Sequence, residues 1–104
     1  MPQPRRGEVW MIDLGMAAKV RPCLLLTDFP ADNELAMVTV VGHTTSLRGN
    51  PWEYSIPKPF LKPGAFHLQE VHSVPVVKLT RKLGELAPAE MTGVGEALRR
   101  RRRV

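Results

Sequence analysis

Arg21-Pro22-Cys23-Leu24-Leu25-Leu26-Thr27-Asp28 is the stretch on which the fold turns. It is apolar on both alternating sets of positions, so it reads as a strand covered on both faces, or as one at a contact between two copies. Pro22 cannot donate to a ladder and is tolerated because it stands where pairing begins. Upstream, Glu8 to Leu14 (EVWMIDL) mixes β-forming residues with a period of two, and Gly15 to Val20 links the two runs. Downstream, Phe29 to Glu34 is a loop by its turn chemistry. Met37 to Thr45 (MVTVVGHTT) is a third strand rich in β-branched residues, with Gly42 marking a bulge or a close backbone approach.

Beyond it, Ser46 to Pro51 is a second loop, and Trp52 to Ile56 alternates as a half-exposed strand. The prolines at 57, 59 and 63 make the following segment a loop. Ala65 to Val71, and Val74 to Thr80 interrupted by Pro75, are expected as two short strands near an edge. Leu83 to Leu86 then leads into a helix from Pro88 to about Arg102, with Met91, Val94 and Leu98 on its apolar face. Gly93 and Gly95 weaken that helix by about 1 kcal/mol each against Ala. Several short strands, one C-terminal helix and no strand-helix alternation make the chain mainly β, a small antiparallel barrel or curled sheet with the helix packed on it.

The 104 residues are expected to form one domain, 1–104, with 43% hydrophobic and 24% charged residues excluding a disordered or collagen-like chain. So small a chain buries a modest core, and dimerisation would help it. The 15 Lys and Arg exceed the 10 Asp and Glu only through the consecutive run Arg99 to Arg103, without which cations and anions balance. That basic tail reads as a solvated end, with phosphate or lipid contact as its other uses. Cys23 is the single cysteine, which excludes an internal disulfide and a cysteine-based zinc site and suits a reducing cytoplasm. No signal peptide or membrane span is legible, so no membrane partner is expected.

The signatures of P-loop, dinucleotide-binding, serine-hydrolase and zinc-peptidase sites are absent from the sequence. Polar residues at strand ends remain. Arg21 offers a fixed fork of donors suited to phosphate or carboxylate, or a structural ion pair, while Lys19 close by is exposed. His43-Thr44-Thr45-Ser46 ends the third strand with three hydroxyls; strand alternation sends His43 and Thr44 to opposite faces unless Gly42 supplies a bulge. Arg48 and Trp52 could stack on unpaired bases, or Trp52 could belong to the core. His67 and Gln69 share one face and Glu70 and His72 the other, so the histidines do not form a metal site. His67 is a residue type suited to a general base or to base recognition.

Arg6-Gly7-Glu8-Val9-Trp10, Asp13-Leu14, Arg21-Pro22-Cys23-Leu24-Leu25-Leu26, Asp32-Asn33, Thr44-Thr45, Gln69 and the final helix together resemble the MazF/PemK family of type II toxin-antitoxin ribonucleases. The resemblance covers nearly the whole chain. It implies a twisted antiparallel β-barrel of SH3-like or CcdB-like type, a homodimer in the cytoplasm, and cleavage of single-stranded RNA at short motifs without a metal or other cofactor. It implies an antitoxin partner of MazE type whose disordered tail lies across the dimer groove. By position, Arg21 matches the family's catalytic arginine and Thr44 its catalytic threonine. The reaction implied is attack of an RNA 2′-hydroxyl on its own phosphorus to give a 2′,3′-cyclic phosphate, with His67 our candidate for the base. Lys19, Thr45, Ser46, Arg48, Trp52, Gln69 and Glu70 are the expected RNA contacts.

The chain departs from that family in its short first loop, Gly15 to Val20, in its histidine at 67, and in its arginine tail. A cleavage motif therefore does not transfer. Two other classes stay open: a CcdB-like gyrase inhibitor, which needs no pairing of Arg21 with Thr44, and a non-catalytic barrel that binds RNA or protein.

Overall fold

The structure is a computed structural model that describes residues 3–15 and 20–101. Six strands, β1 (Glu8–Asp13), β2 (Val20–Leu25), β3 (Met37–Thr44), β4 (Glu53–Tyr54), β5 (Ala65–Pro75) and β6 (Leu79–Glu85), precede one helix, α1 (Pro88–Arg101). They form one sheet in the order β4-β5-β3-β2-β1-β6, every pairing antiparallel.

β5 and β6 are consecutive in the chain but four strand spacings apart in that order, about 19 Å if the sheet were flat. The 3-10 turn Val76–Lys78 that joins them is too short to span this distance, so the sheet must curl strongly. The curl is barrel-like, yet among the described residues no ladder joins the edge strands β4 and β6, so the sheet stays open.

Strand alternation distributes the apolar residues of β2 to two cores, as its double-sided pattern predicts. Leu24 joins Val9, Val41, Phe66 and Leu68 beneath α1, where Met91, Val94 and Ala97 complete the layer. Cys23 and Leu25 join Ile12, Val38, Val40 and Val74 on the opposite face. The ladder between β2 and β3 begins at Cys23, so Pro22 sits where one neighbour is already missing.

Three boundaries differ from those expected. The two strands anticipated between 65 and 80 are one long β5 and then the turn, because β3 continues to pair through His72 and Ser73 as far as Pro75. Leu83 to Glu85 belongs to β6, held by the pairs Val9 with Gly84 and Glu8 with Glu85, and does not lead into the helix. β4 is only two residues long. The apolar face of α1 is buried at Met91, Val94 and Ala97, with Leu98 partly buried beside them. Glu90 accepts a bond from the Ala87 N–H at 2.7 Å and so caps the first turn, where Pro88 needs no donor partner. A Cβ on Gly93 would lie 2.5 Å from Tyr54 Oη, which explains one glycine in the helix; Gly95 faces open space.

Arg99 and Arg100 are exposed on the last turn, where the helix dipole favours cations. Arg101 is anchored, its Nε donating to the Pro51 carbonyl. The run is therefore helical and docked as far as Arg101; Arg102 and Arg103 lie outside the described residues. Among the described residues no helix is long and apolar enough to cross a membrane.

Candidate functional site

Arg21 stands one residue into β2, and Thr44 is the last residue of β3. The register pairs Cys23 with Gly42, and continuing it two residues past the end of the ladder sets Arg21 opposite Thr44. Gly42 lies between them in sequence and serves as a floor: a Cβ there would touch Arg21 Cδ at 3.5 Å. The anticipated irregularity at Gly42 is present, because the pairing of β3 with β5 shifts between Val41 and His43. Val41 faces Val71 while His43 faces Phe66, so three extra residues of β5 are accommodated opposite Gly42. That shift defeats simple alternation in β5 and brings His67, Gln69 and Glu70 to the same cleft.

Arg21, Thr44 and Ser46 form a ridge between two adjoining clefts. One, about 540 Å³, is walled by Arg48, Asn50, His67, Gln69 and Glu70. The other, about 550 Å³, is walled by Thr45, Phe60, Leu61, Lys62, Arg81 and Leu83.

The Thr44 hydroxyl oxygen accepts the Ser46 N–H at 3.0 Å. This fixes the side chain and leaves its proton free to donate. The loop beyond is built rather than slack. Glu53 accepts from the Arg48 N–H at 2.6 Å and the Gly49 N–H at 2.9 Å, and the Arg48 bond above all holds its carboxyl below the usual range. Gly49 takes the left-handed conformation at φ 76°, and Asn50 Oδ1 accepts the Trp52 N–H.

His67 is half-buried, and its Nδ1 is enclosed with no hydrogen-bond partner among the described residues, which leaves Nε2 as the nitrogen open to the cleft. His43 is 6% exposed and packs edge-on against Phe66 with ring centroids 5.1 Å apart. Burial pushes its pKa down, so it is neutral near pH 7 and acts as a packing group.

Among the expected RNA contacts, Thr45, Ser46, Arg48, Gln69 and Glu70 line the clefts. Trp52 lines neither; its half-buried indole packs on the core beneath α1, because apolar area outweighs the gain from one exposed stack. Lys19 lies outside the described residues. Lys62, Arg81 and Asn50 are cleft residues that the sequence did not single out. Among the described residues no group of three or more His, Cys, Asp or Glu could hold a metal ion.

The model of the PemK-like, MazF-like toxins of type II toxin-antitoxin systems matches residues 5–101. The chain is similar to a probable endoribonuclease, MazF5, of Mycobacterium tuberculosis, 33% identical over 98 residues that cover 91% of this chain and 89% of that one. Among solved structures it resembles a mycobacterial endoribonuclease bound to its cognate antitoxin, with a TM-score of 0.73 at 28% identity, covering 93% of this chain and 92% of that one. A MazE-MazF complex from Deinococcus radiodurans shares the fold, with a TM-score of 0.78 at 17% identity over 96% and 95% of the two chains. Match and fold agree over nearly the whole length, and the chain belongs to the PemK-like, MazF-like toxins of type II toxin-antitoxin systems.

Proposed function

We propose that this chain is an endoribonuclease that cuts single-stranded RNA on the ridge between the two clefts. The observation that carries this reading is the shared position of Arg21 and Thr44: a permanent cation and a free hydroxyl proton line the same open cleft, where a phosphodiester can reach both. Arg21 stabilises the charge that builds on the phosphorane oxygens, and Thr44 donates to a non-bridging oxygen. The nucleophile is the RNA's own 2′-hydroxyl. Its proton passes to His67 Nε2 as the 2′-oxygen-phosphorus bond forms. The phosphorus-5′-oxygen bond then breaks, the leaving oxygen takes a proton from water, and His67 returns its own to solvent, so the products are a 2′,3′-cyclic phosphate and a free 5′-hydroxyl with no net proton consumed.

A mycobacterial relative bound to its cognate antitoxin supports a regulatory antitoxin partner; an extended antitoxin segment over the clefts and action in the cytoplasm complete the proposal. A homodimer fits the small core and the exposed Leu35 and Val77, which are 81% and 85% exposed at one end of the sheet. The test is incubation with a long single-stranded RNA in EDTA. Cleavage that survives the chelator and vanishes in Arg21→Ala supports the reading. Intact RNA overturns it, and gyrase-dependent DNA breaks in its place would assign the fold to a gyrase inhibitor.

A further inference from the structure

The two clefts that meet at the ridge differ in chemistry. The cleft holding His67 has Arg48, Asn50, Gln69 and Glu70 on its walls, donors and acceptors able to read a base edge. The other has cations and an aromatic and, among the described residues, no carboxylate: Arg21, Lys62, Arg81, Phe60 and Leu83. Phe60 is a fixed surface. Its ring lies directly over the bare backbone of Gly84 in β6, where a Cβ would collide with it, and it stays half-exposed toward the cleft. The cations of this cleft are open to an anionic ligand. Lys58 is paired with Glu90, and Lys82 with Glu8 and Glu85, whereas Lys62 and Arg81 make no ion pair among the described residues. Exposed cations without such pairing, set around an aromatic ring, form the arrangement that tracks a nucleic-acid backbone while a base stacks.

We propose that this second cleft is the subsite for the nucleotide 3′ of the scissile phosphate, with Lys62 and Arg81 on the following phosphates and Phe60 as the stacking surface. The direction follows from the proposed chemistry and rests on that reading. The base must reach the 2′-hydroxyl, which belongs to the nucleotide on the 5′ side, so that nucleotide occupies the cleft of His67. The leaving strand must then run out across the ridge past Phe60. The two clefts divide the work: the polar one discriminates bases, and the cationic aromatic one holds the strand whatever its sequence.

The test uses the full chain, the double variant Lys62→Ala/Arg81→Ala, and RNA oligonucleotides around a mapped cleavage position, with a 2′-deoxy sugar at the scissile nucleotide. Both side chains are exposed, and an unchanged circular dichroism melt confirms folding. Binding of the full oligonucleotide should weaken roughly tenfold or more, with a salt slope shallower by about 0.7 for each phosphate no longer neutralised. The loss should shrink once the nucleotides 3′ of the scissile phosphate are removed and persist when those on the 5′ side are removed. Phe60→Leu should show the same dependence without the change in salt slope. A loss that follows the 5′ truncation, or that ignores both truncations, overturns the subsite while leaving the nuclease intact. So does unchanged RNA affinity with weakened antitoxin binding. If the unsubstituted protein cleaves no RNA, the functional reading fails and the subsite falls with it.

Discussion

Arg21 and Thr44 occupy facing positions just past the end of the β2-β3 ladder, and both line each of the two clefts that flank them. The ladder stops at Cys23 and Gly42, so the sheet supplies rigidity up to the last paired residue and then opens for a ligand. The placement depends on backbone, since Gly42 gives Arg21 a bare surface to lie on and Ser46 locks the Thr44 hydroxyl. A site on strand ends is held by the core, whereas one on a free loop would have to be ordered by substrate.

The buried His43 predicts loss of stability in mild acid. Burial depresses its folded-state pKa below that of the unfolded chain, so the unfolded state binds a proton first as pH falls. Its contribution is complete above about pH 6.5 and declines below it, toward the lower folded-state pKa. Denaturant midpoints measured from pH 7.5 to 5 should fall, and the slope should flatten in His43→Phe. An equal slope in both proteins would remove His43 as the cause.

Glu8 gives a second acid-sensitive contact with the same sign and a lower window. Burial alone would raise its carboxyl, but hydrogen bonds from Trp10 Nε1, the Arg5 N–H and Lys82 outweigh that and hold it below the usual range. Its stabilisation is therefore present above about pH 4.5 and lost as pH falls through the folded value. Glu8→Ala leaves the half-buried Trp10 donor without its partner and should cost about 1 kcal/mol at pH 7. Equilibrium urea unfolding measures it.

The two helix glycines should respond with opposite signs. Gly95→Ala meets open space and should stabilise the protein by about 1 kcal/mol through helix propensity. Gly93→Ala drives a methyl into the Tyr54 hydroxyl and should destabilise it despite the same gain. Melting temperatures of the two variants side by side decide the matter, and stabilisation by both would contradict the packing described.

Cys23 should be inert. Burial pushes its thiol up to about 12, with Arg21 only partly opposing, and the side chain is fully enclosed. A disulfide reagent at pH 8 should label it only after denaturant is added, so labelling of the native protein at the rate of a free thiol would contradict the burial.

Much of the fold is legible in the sequence because its first three strands carry their own signal. The double-sided apolar pattern of Arg21 to Leu26 anticipates its two cores, and Pro88 anticipates the helix start. β5 reads as two strands because Glu70, His72 and Ser73 look like a polar interruption; His72 and Ser73 pair with Val40 and Thr39 some thirty residues away in β3, a relation that local pattern does not contain. Arg21 and Thr44 stand out as polar residues at strand ends, and family resemblance gives them roles. Lys62 and Arg81 do not, since in sequence they match Lys58 and Lys82. Only the folded chain distinguishes the cations that have carboxylate partners from those that make no ion pair among the described residues.

The central claim is that Arg21 and Thr44 act on one phosphodiester, and a double-mutant cycle on RNA cleavage tests it most directly. Cleavage of one mapped site is followed in EDTA for the unsubstituted chain, Arg21→Ala, Thr44→Val and the pair. Joint action predicts 2′,3′-cyclic phosphate ends and strong coupling, with the double variant losing far less kcat/KM than the product of the single losses. Losses that multiply independently, or ends bearing a 5′-phosphate, would contradict it.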